Sequence, residues 1–203
     1  MTKLDLNKLP NIENKIGVLR FDPLKEFPAL KELGEISERI YGAANFNGAK
    51  PDENYPLYAE KSHFRAALSE FVSISEMVKL KSHDLRIDNL DLPLLHFFKE
   101  LRVTNFHIKS FIPSIQSTNM TWPGVNYPDD RPYEFQYKFL TIDNCDLCLF
   151  KDNNNYNNFY KNDTFHSVIN WVNEKQGILG ITHVFEAALK QYCKLLDERT
   201  RKN

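Results

Sequence analysis

The chain has 203 residues, long enough for one large domain with its own hydrophobic core. Hydrophobic residues make up 42% and charged residues 26%, and both values are typical of a globular protein. The formal net charge of −1 argues against a protein that coats nucleic acid through overall positive charge, although it allows a local basic cleft. No stretch approaches the roughly 20 apolar residues that span a bilayer, and MTKLDLNKLPNIENK lacks the apolar run of a secretory signal. We therefore expect a cytoplasmic protein with no membrane partner.

The first quarter of the chain changes from an irregular to a helical pattern and back. Residues 1–28 are expected to form an extended arm, because three prolines interrupt them. From Ala29 to about Tyr41 an apolar stripe with charged flanks predicts a helix. The stretch 42–56 is rich in Gly, Asn and Pro and predicts a loop.

Two long helices are predicted next. Residues 57–81 repeat a mainly apolar face at helical spacing, formed by Phe64, Ala67, Leu68, Phe71, Ser75 and Val78. Residues 92–110 follow, with Pro93 near the helix start and a buried stripe expected at Leu94, Phe97, Phe98, Leu101 and Ile108. Because the connection between these helices is short, we expect them to pack antiparallel.

A β-hairpin is predicted in the middle of the second half. The proline-broken stretch 113–132 predicts a loop, and the alternating stretch YEFQYKFLTI (133–142) predicts a strand. Asp143 and Asn144 indicate a turn, so CDLCLFK (145–151) is interpreted as the returning strand of a hairpin over 133–151.

The chain is predicted to end in a helix pair over 163–199. Asp163 or Thr164 can cap the first helix, and the second runs from Ile181 to about Arg199. Together with the helices of 29–112, this pattern predicts a single domain that is mostly α. The expected architecture is an antiparallel helical bundle with a small inserted β-hairpin.

The predicted helix 92–110 carries the clearest candidate chemistry of the sequence. Arg102 can bind a phosphate and His107 can transfer a proton near neutral pH. Five residues on a helix correspond to about 140° of rotation, so the pair comes together only if the arginine side chain reaches round the helix. The alternative is structural: Arg102 pairs with an acidic neighbour such as Glu100, and His107 is a half-buried helix residue. His63 and His96 are further candidates for lining the same cleft.

The stretch HFRAALSEFVSISEMV, a short connection and LLHFFKELRVTNFHIK together resemble the HEPN family of small α-helical domains. The motif of that family is an arginine, a short spacer and a histidine on one helix, and Arg102 and His107 have this spacing. The terminal pair FHSVINWVNEKQGILGITHVFEAALKQYC also fits the multi-helical bundle of the family. The resemblance covers residues 57–112 and 163–198.

This resemblance implies a metal-independent endoribonuclease of a defence or toxin–antitoxin system. It would act as a homodimer on RNA, with a possible antitoxin partner and no DNA partner. Arg102 and His107 would be the catalytic pair, with Asn105 as a supporting polar contact. Active members commonly carry a polar residue directly after the arginine, where this chain has Val103. Since the family also includes non-catalytic members, the alternative is a helical module that dimerises or binds a ligand or partner.

Three cysteines do not indicate a disulfide framework, because their number is odd. Cys145 and Cys148 have the spacing of half a tetrahedral zinc site, but Cys193, His166 and His183 are too scattered to complete it. We expect neither a metal nor a cofactor.

Overall fold

The computed structural model describes residues 4–12, 21–48, 57–81, 83–107, 113–122, 133–142, 150 and 162–202. For residues 57, 58, 80, 81, 83, 105–107, 113–115, 118, 120–122, 133–138 and 162 it describes the backbone alone. Over these ranges the elements in chain order are α1 (Pro23–Glu26), α2 (Glu35–Asn47), α3 (Leu57–Lys81), α4 (Pro93–His107), β1 (Pro113–Trp122), β2 (Tyr133–Ile142), α5 (Asn162–Leu179) and α6 (Ile181–Thr200). Short 3-10 helices cover Leu6–Lys8, Pro28–Leu33, His83–Leu85 and Ile87–Asn89.

Over the described residues the fold is a mostly α helical bundle with an antiparallel two-stranded hairpin, which confirms the predicted fold class. Helix α3 has the predicted bounds, and α4 includes the predicted buried residues Leu94, Phe97, Phe98 and Leu101, which are all fully buried. The predicted residue Ile108 lies outside the described residues. No helix of the described chain is long and apolar enough to cross a membrane.

Phe71 on α3 lies at the centre of the aromatic core. Its ring contacts Phe98 of α4, Phe185 of α6 and Tyr192 of α6, with centroids 6.5, 5.4 and 6.0 Å away. These edge-to-face contacts add to the free energy gained by burying large apolar surfaces. They also fix the rotation of α4, because Phe97 and Phe98 must both face the core.

The predicted helix over 29–41 is wrong in its bounds. Residues 28–33 form a 3-10 helix, Gly34 breaks it with a φ of 63°, and α2 then continues through Gly42 to Asn47. Gly42, predicted to begin a loop, instead lets α2 approach α3, because a Cβ at this position would lie 3.3 Å from Cγ of Glu70. The glycine therefore serves helix packing rather than a turn.

The predicted loop over 113–132 is also wrong in its first half. Residues 113–122 form β1, which pairs with β2 in a register that joins Pro113 to Ile142 and Trp122 to Tyr133. The sequence of β1 does not alternate between apolar and polar residues, because it contains Gln116, Ser117 and Asn119. The strand is therefore specified by its pairing with β2. The predicted returning strand 145–151 lies outside the described residues except for Phe150, which is in a turn.

The last helix holds the N-terminal part of the chain, which was expected to be an extended arm. Gln191 donates a hydrogen bond from Nε2 to the carbonyl oxygen of Lys8 over 2.8 Å. Asp197 is buried and accepts a hydrogen bond from the backbone N–H of Ala29 at 2.9 Å, so it caps the 3-10 helix 28–33 from another element. Residues 4–12 and 21–33 are therefore packed onto the bundle.

Candidate functional site

A groove of about 480 Å³ opens between α2, α3 and α4. Its lining residues are Arg39 from α2, Val72, Ser73, Glu76 and Met77 from α3, Arg86 from the connection, and Lys99, Arg102 and Val103 from α4. Four of these nine side chains are cationic and one is a carboxylate. The groove is thus a local basic cleft on a chain whose overall charge is close to zero.

The packing of α4 explains why its cations face the groove. Phe97, Phe98 and Leu101 are fully buried in the core, so the opposite side of the helix is left at the surface. Lys99, Arg102 and Val103 stand at positions i, i+3 and i+4, which are neighbours on one face of a helix. The apolar stripe that the sequence shows therefore sets the direction of the groove residues.

Carboxylates around the groove form ion pairs with its cations Arg39, Arg86 and Lys99. Arg39 binds Glu70 of α3, with 3.0 Å between Nη1 and Oε2. Arg86 binds Asp88, with 2.8 Å between Nε and Oδ2, and Asp88 also binds Lys99. These pairs hold the cations in place, and they also neutralise part of the positive charge.

The α3 wall of the groove presents acceptors. Ser73 donates its hydroxyl proton to the carbonyl oxygen of Ser69 at 2.9 Å, so its oxygen can only accept from a ligand. The Glu76 side chain is 51% exposed, and one of its oxygens lies 3.4 Å from Nη2 of Arg86, a long ion pair. Most of the acceptor capacity of this carboxylate therefore remains directed to the groove and solvent.

The structure places the predicted site residues as follows. Arg102 is half-buried and lines the groove. His107 is the last residue of α4, and Asn105 lies in the same final turn, but both side chains are outside the described part of the structure. Along the axis, Arg102 and His107 are about 7.5 Å apart at ~1.5 Å per residue.

His96 is not a groove residue. It is 1% exposed, and its ring nitrogen Nε2 lies 2.7 Å from the carbonyl oxygen of Leu90, to which it donates a hydrogen bond. Burial lowers the pKa of His96 to about 4. The imidazole is therefore neutral at physiological pH and holds the start of α4 against the connection. His63 does not line the groove either, and its ring packs 6.2 Å from that of Phe46.

Four residues of the groove were not predicted as site residues: Arg39, Glu76, Arg86 and Lys99. The i, i+3 spacing of Lys99 and Arg102 was a signal that was available. Arg39 and Arg86 come from other segments and join the site only through the packing of α2 and the connection against α3. No local pattern marks them.

The cysteine and metal expectations concern other parts of the molecule. Cys145 and Cys148 lie outside the described residues. Cys193 is fully buried on α6, and burial raises the pKa of its thiol, so the group is protonated and unreactive. Among the described residues, no group of three or more His, Cys, Asp or Glu side chains can hold a metal ion.

No family model, curated protein or solved structure matches this chain.

Proposed function

We propose that this protein binds single-stranded RNA in the groove, with Arg102 holding a backbone phosphate. The observation that supports this proposal is the convergence of Arg39, Arg86, Lys99 and Arg102 on one groove. A guanidinium presents planar donors that match two phosphate oxygens, and lysine adds a compact charge. Phosphate contacts of this kind supply most of the affinity of a nucleic-acid-binding surface.

Apolar side chains in the same groove favour a nucleotide over a bare anion. Val72, Met77 and Val103 line it beside the cations. A sugar or base face can pack on these side chains while its phosphate meets Arg102, and the methionine thioether packs well against aromatic rings. A groove of about 480 Å³ is also within the ~300–1,000 Å³ range of small-ligand sites. It would therefore take one nucleotide unit of a longer strand.

The resemblance to the HEPN family extends the proposal to cleavage. His107 would take the 2′-hydroxyl proton as that oxygen attacks phosphorus, or protonate the leaving 5′-oxygen as its bond to phosphorus breaks. Arg102 would stabilise the charge that develops on the phosphate oxygens. A homodimer would bring two copies of the pair to one cleft, and the cellular setting would be defence or a toxin–antitoxin system.

The second candidate function is binding without cleavage, and Val103 favours it. This residue lines the groove directly after Arg102, where active members of the resembled family commonly carry a polar residue. A valine cannot donate or accept a hydrogen bond from a reacting phosphate. The protein would then be a helical module whose groove binds RNA, or another ligand or partner that carries phosphate, without cleaving it.

Binding is tested by fluorescence anisotropy with a labelled single-stranded RNA at fixed salt. Arg102→Gln should weaken binding about tenfold, because one charge-assisted phosphate contact is lost. Lys194→Gln is the matched control, since Lys194 is exposed on α6, which does not line the groove. Equal loss in both variants, or no binding by the wild type, would reject the proposal.

Cleavage is tested by incubating varied single-stranded RNAs with the purified protein in EDTA. If the catalytic form of the proposal holds, the wild type cuts RNA under these conditions and His107→Ala does not. Undiminished cutting by His107→Ala would remove His107 from the mechanism. RNA that is bound but left intact supports the binding module.

A further inference from the structure

We infer that the groove distinguishes RNA from DNA, with Glu76 accepting a hydrogen bond from a ribose 2′-hydroxyl. This inference rests on the proposed function. It adds that the groove selects its ligand by the ribose 2′-hydroxyl. It follows from the arrangement of donors and acceptors on the two walls of the groove.

One wall of the groove can only donate hydrogen bonds. Lys99 and Arg102 of α4 and Arg86 of the connection carry several N–H donors and no acceptor. A ligand group that meets this wall must accept hydrogen bonds and carry negative charge, as a phosphodiester does. A sugar hydroxyl could accept a hydrogen bond from this wall, but it carries no negative charge and its own proton would find no acceptor there.

The polar groups on the α3 wall can only accept hydrogen bonds. The hydroxyl proton of Ser73 is already given to Ser69, and the carboxylate of Glu76 has no proton to donate when ionised. A ligand group that meets this wall must donate a hydrogen bond. A phosphate would be repelled here, because Glu76 carries the same sign of charge.

The ion pairs of the groove argue against a polyphosphate as the ligand. Arg39, Arg86 and Lys99 are already paired with Glu70, Asp88 and Glu76, so their charge is partly neutralised. Di- and triphosphates would need more positive charge than these partnered cations offer. One phosphodiester with a neighbouring hydroxyl fits better than a cluster of phosphates.

In the sugar–phosphate backbone of a strand, the 2′-hydroxyl is the group that donates a hydrogen bond. It is both donor and acceptor, it lies one sugar carbon from the 3′-phosphate linkage, and DNA lacks it. With the phosphate on Arg102 and the sugar over Val72 and Met77, the 2′-hydroxyl can donate to Glu76 across the groove. In the catalytic form of the proposed function, this arrangement leaves His107 to protonate the leaving 5′-oxygen. In DNA the same carboxylate would meet a C–H group, which does not donate a hydrogen bond to it.

The test compares three labelled strands of one sequence, made as RNA, DNA and 2′-O-methyl RNA. The 2′-O-methyl strand keeps the ribose oxygen and removes its proton, so it isolates the donor. The wild type should bind RNA about tenfold more tightly than either other strand, as expected for a hydrogen bond to a charged group. Intactness of each strand is checked on a gel after the measurement.

Glu76→Ala should bring the three affinities together, because RNA loses its acceptor while the other strands lose a repulsive charge. Glu174→Ala is the matched control, since Glu174 is an exposed glutamate on α5 that pairs with Lys175 and does not line the groove. Arg102→Gln should weaken all three strands by a similar factor and leave their ratio unchanged.

The possible failures are distinguishable. Equal binding of the three strands by the wild type, or an unchanged preference in Glu76→Ala, overturns this inference and leaves the proposed function standing. Failure of the wild type to bind any strand overturns the proposed function, and the inference falls with it.

Discussion

Gln176 of α5 binds both backbone polar groups of Ile142 through its side-chain amide. Its Oε1 accepts from the N–H of Ile142 at 2.9 Å, and its Nε2 donates to the carbonyl oxygen of Ile142 at 3.1 Å. Both residues are buried. The amide therefore takes the place of a neighbouring strand at the end of β2 and satisfies peptide groups that water does not reach.

Gln176→Leu should lower the free energy of unfolding by about 2–4 kcal/mol, because leucine fills the space and leaves two buried peptide groups without hydrogen bonds. Urea unfolding followed by circular dichroism measures this change. Asn170→Ala on the exposed side of the same helix is the control, and it should change stability by less than about 0.5 kcal/mol. A loss below about 1 kcal/mol in Gln176→Leu would show that the peptide groups find other partners.

Gly180→Ala should destabilise the protein by about 2 kcal/mol or more. Gly180 joins α5 to α6 with a φ of 84°, and a Cβ there would lie 2.9 Å from Cβ of Phe139. Gly177 offers the matched control three residues earlier, because a Cβ at that position meets nothing within 4 Å. Gly177→Ala should be neutral or stabilise by up to about 1 kcal/mol, since alanine favours the helix. Equal thermal stability of the two variants would contradict the expected close approach.

His96 should make the protein less stable as the pH falls from 6.5 to about 4. Because burial lowers the pKa of His96 from 6.5 to about 4, the unfolded chain binds a proton in this range and the folded chain does not. The contribution is fully present above pH 6.5 and is lost as the pH approaches 4. The difference between these pKa values corresponds to about 3 kcal/mol.

His96→Gln can still donate to Leu90 but cannot titrate, so its stability should change less with pH over this range. Urea unfolding at several pH values measures the slope, and His166→Gln on the exposed side of α5 is the control. The charge of Asp91 acts on His96 only as the smallest of several influences, and its own titration falls below this range. Its hydrogen bond with Lys8 holds the pKa of its carboxyl below 3.8, so its contribution is lost at lower pH. The same pH slope in His96→Gln and the wild type would rule out His96 as the source.

The salt dependence of RNA binding should decrease in Arg102→Gln. For single strands, each phosphate contact contributes about −0.7 to the slope of log K against log salt concentration. Loss of one contact should therefore reduce the slope by about 0.7, whereas Lys194→Gln should leave it unchanged. A slope that stays constant in Arg102→Gln would mean that this arginine acts without touching a phosphate.

The helical core was predictable because its signal is local and repeats along the chain. Residues 57–81 and 181–199 bury one apolar face over several turns, and the structure gives α3 and α6 nearly the same bounds. The break at Gly34 was missed, since the apolar stripe continues on both sides of it. Strand β1 was missed because its own residues show no apolar alternation, and it is specified by pairing with β2, the next strand along the chain.

The site was predictable only in part, for a related reason. Arg102 was identified as a candidate from one helix, and the structure places it on the groove. Arg39, Glu76 and Arg86 become its neighbours through the packing of three separate segments. The sequence shows that these residues are charged. That they lie together at one groove depends on the tertiary structure, which a single sequence does not show.

The hydrogen bonds of α6 to the N-terminal part of the chain have a consequence for synthesis on the ribosome. Ala29 forms its hydrogen bond with Asp197, and Lys8 forms its hydrogen bond with Gln191. Ala29 and Lys8 therefore leave the ribosome long before their hydrogen-bond partners are synthesised. At ~5–20 residues per second, the wait lasts on the order of ten seconds or more. During this time the apolar side chains of Leu4, Phe21 and Leu30, buried in the finished fold, have no docking surface from α6. Truncation before Ile181, which removes α6, is therefore expected to leave these apolar side chains without that docking surface.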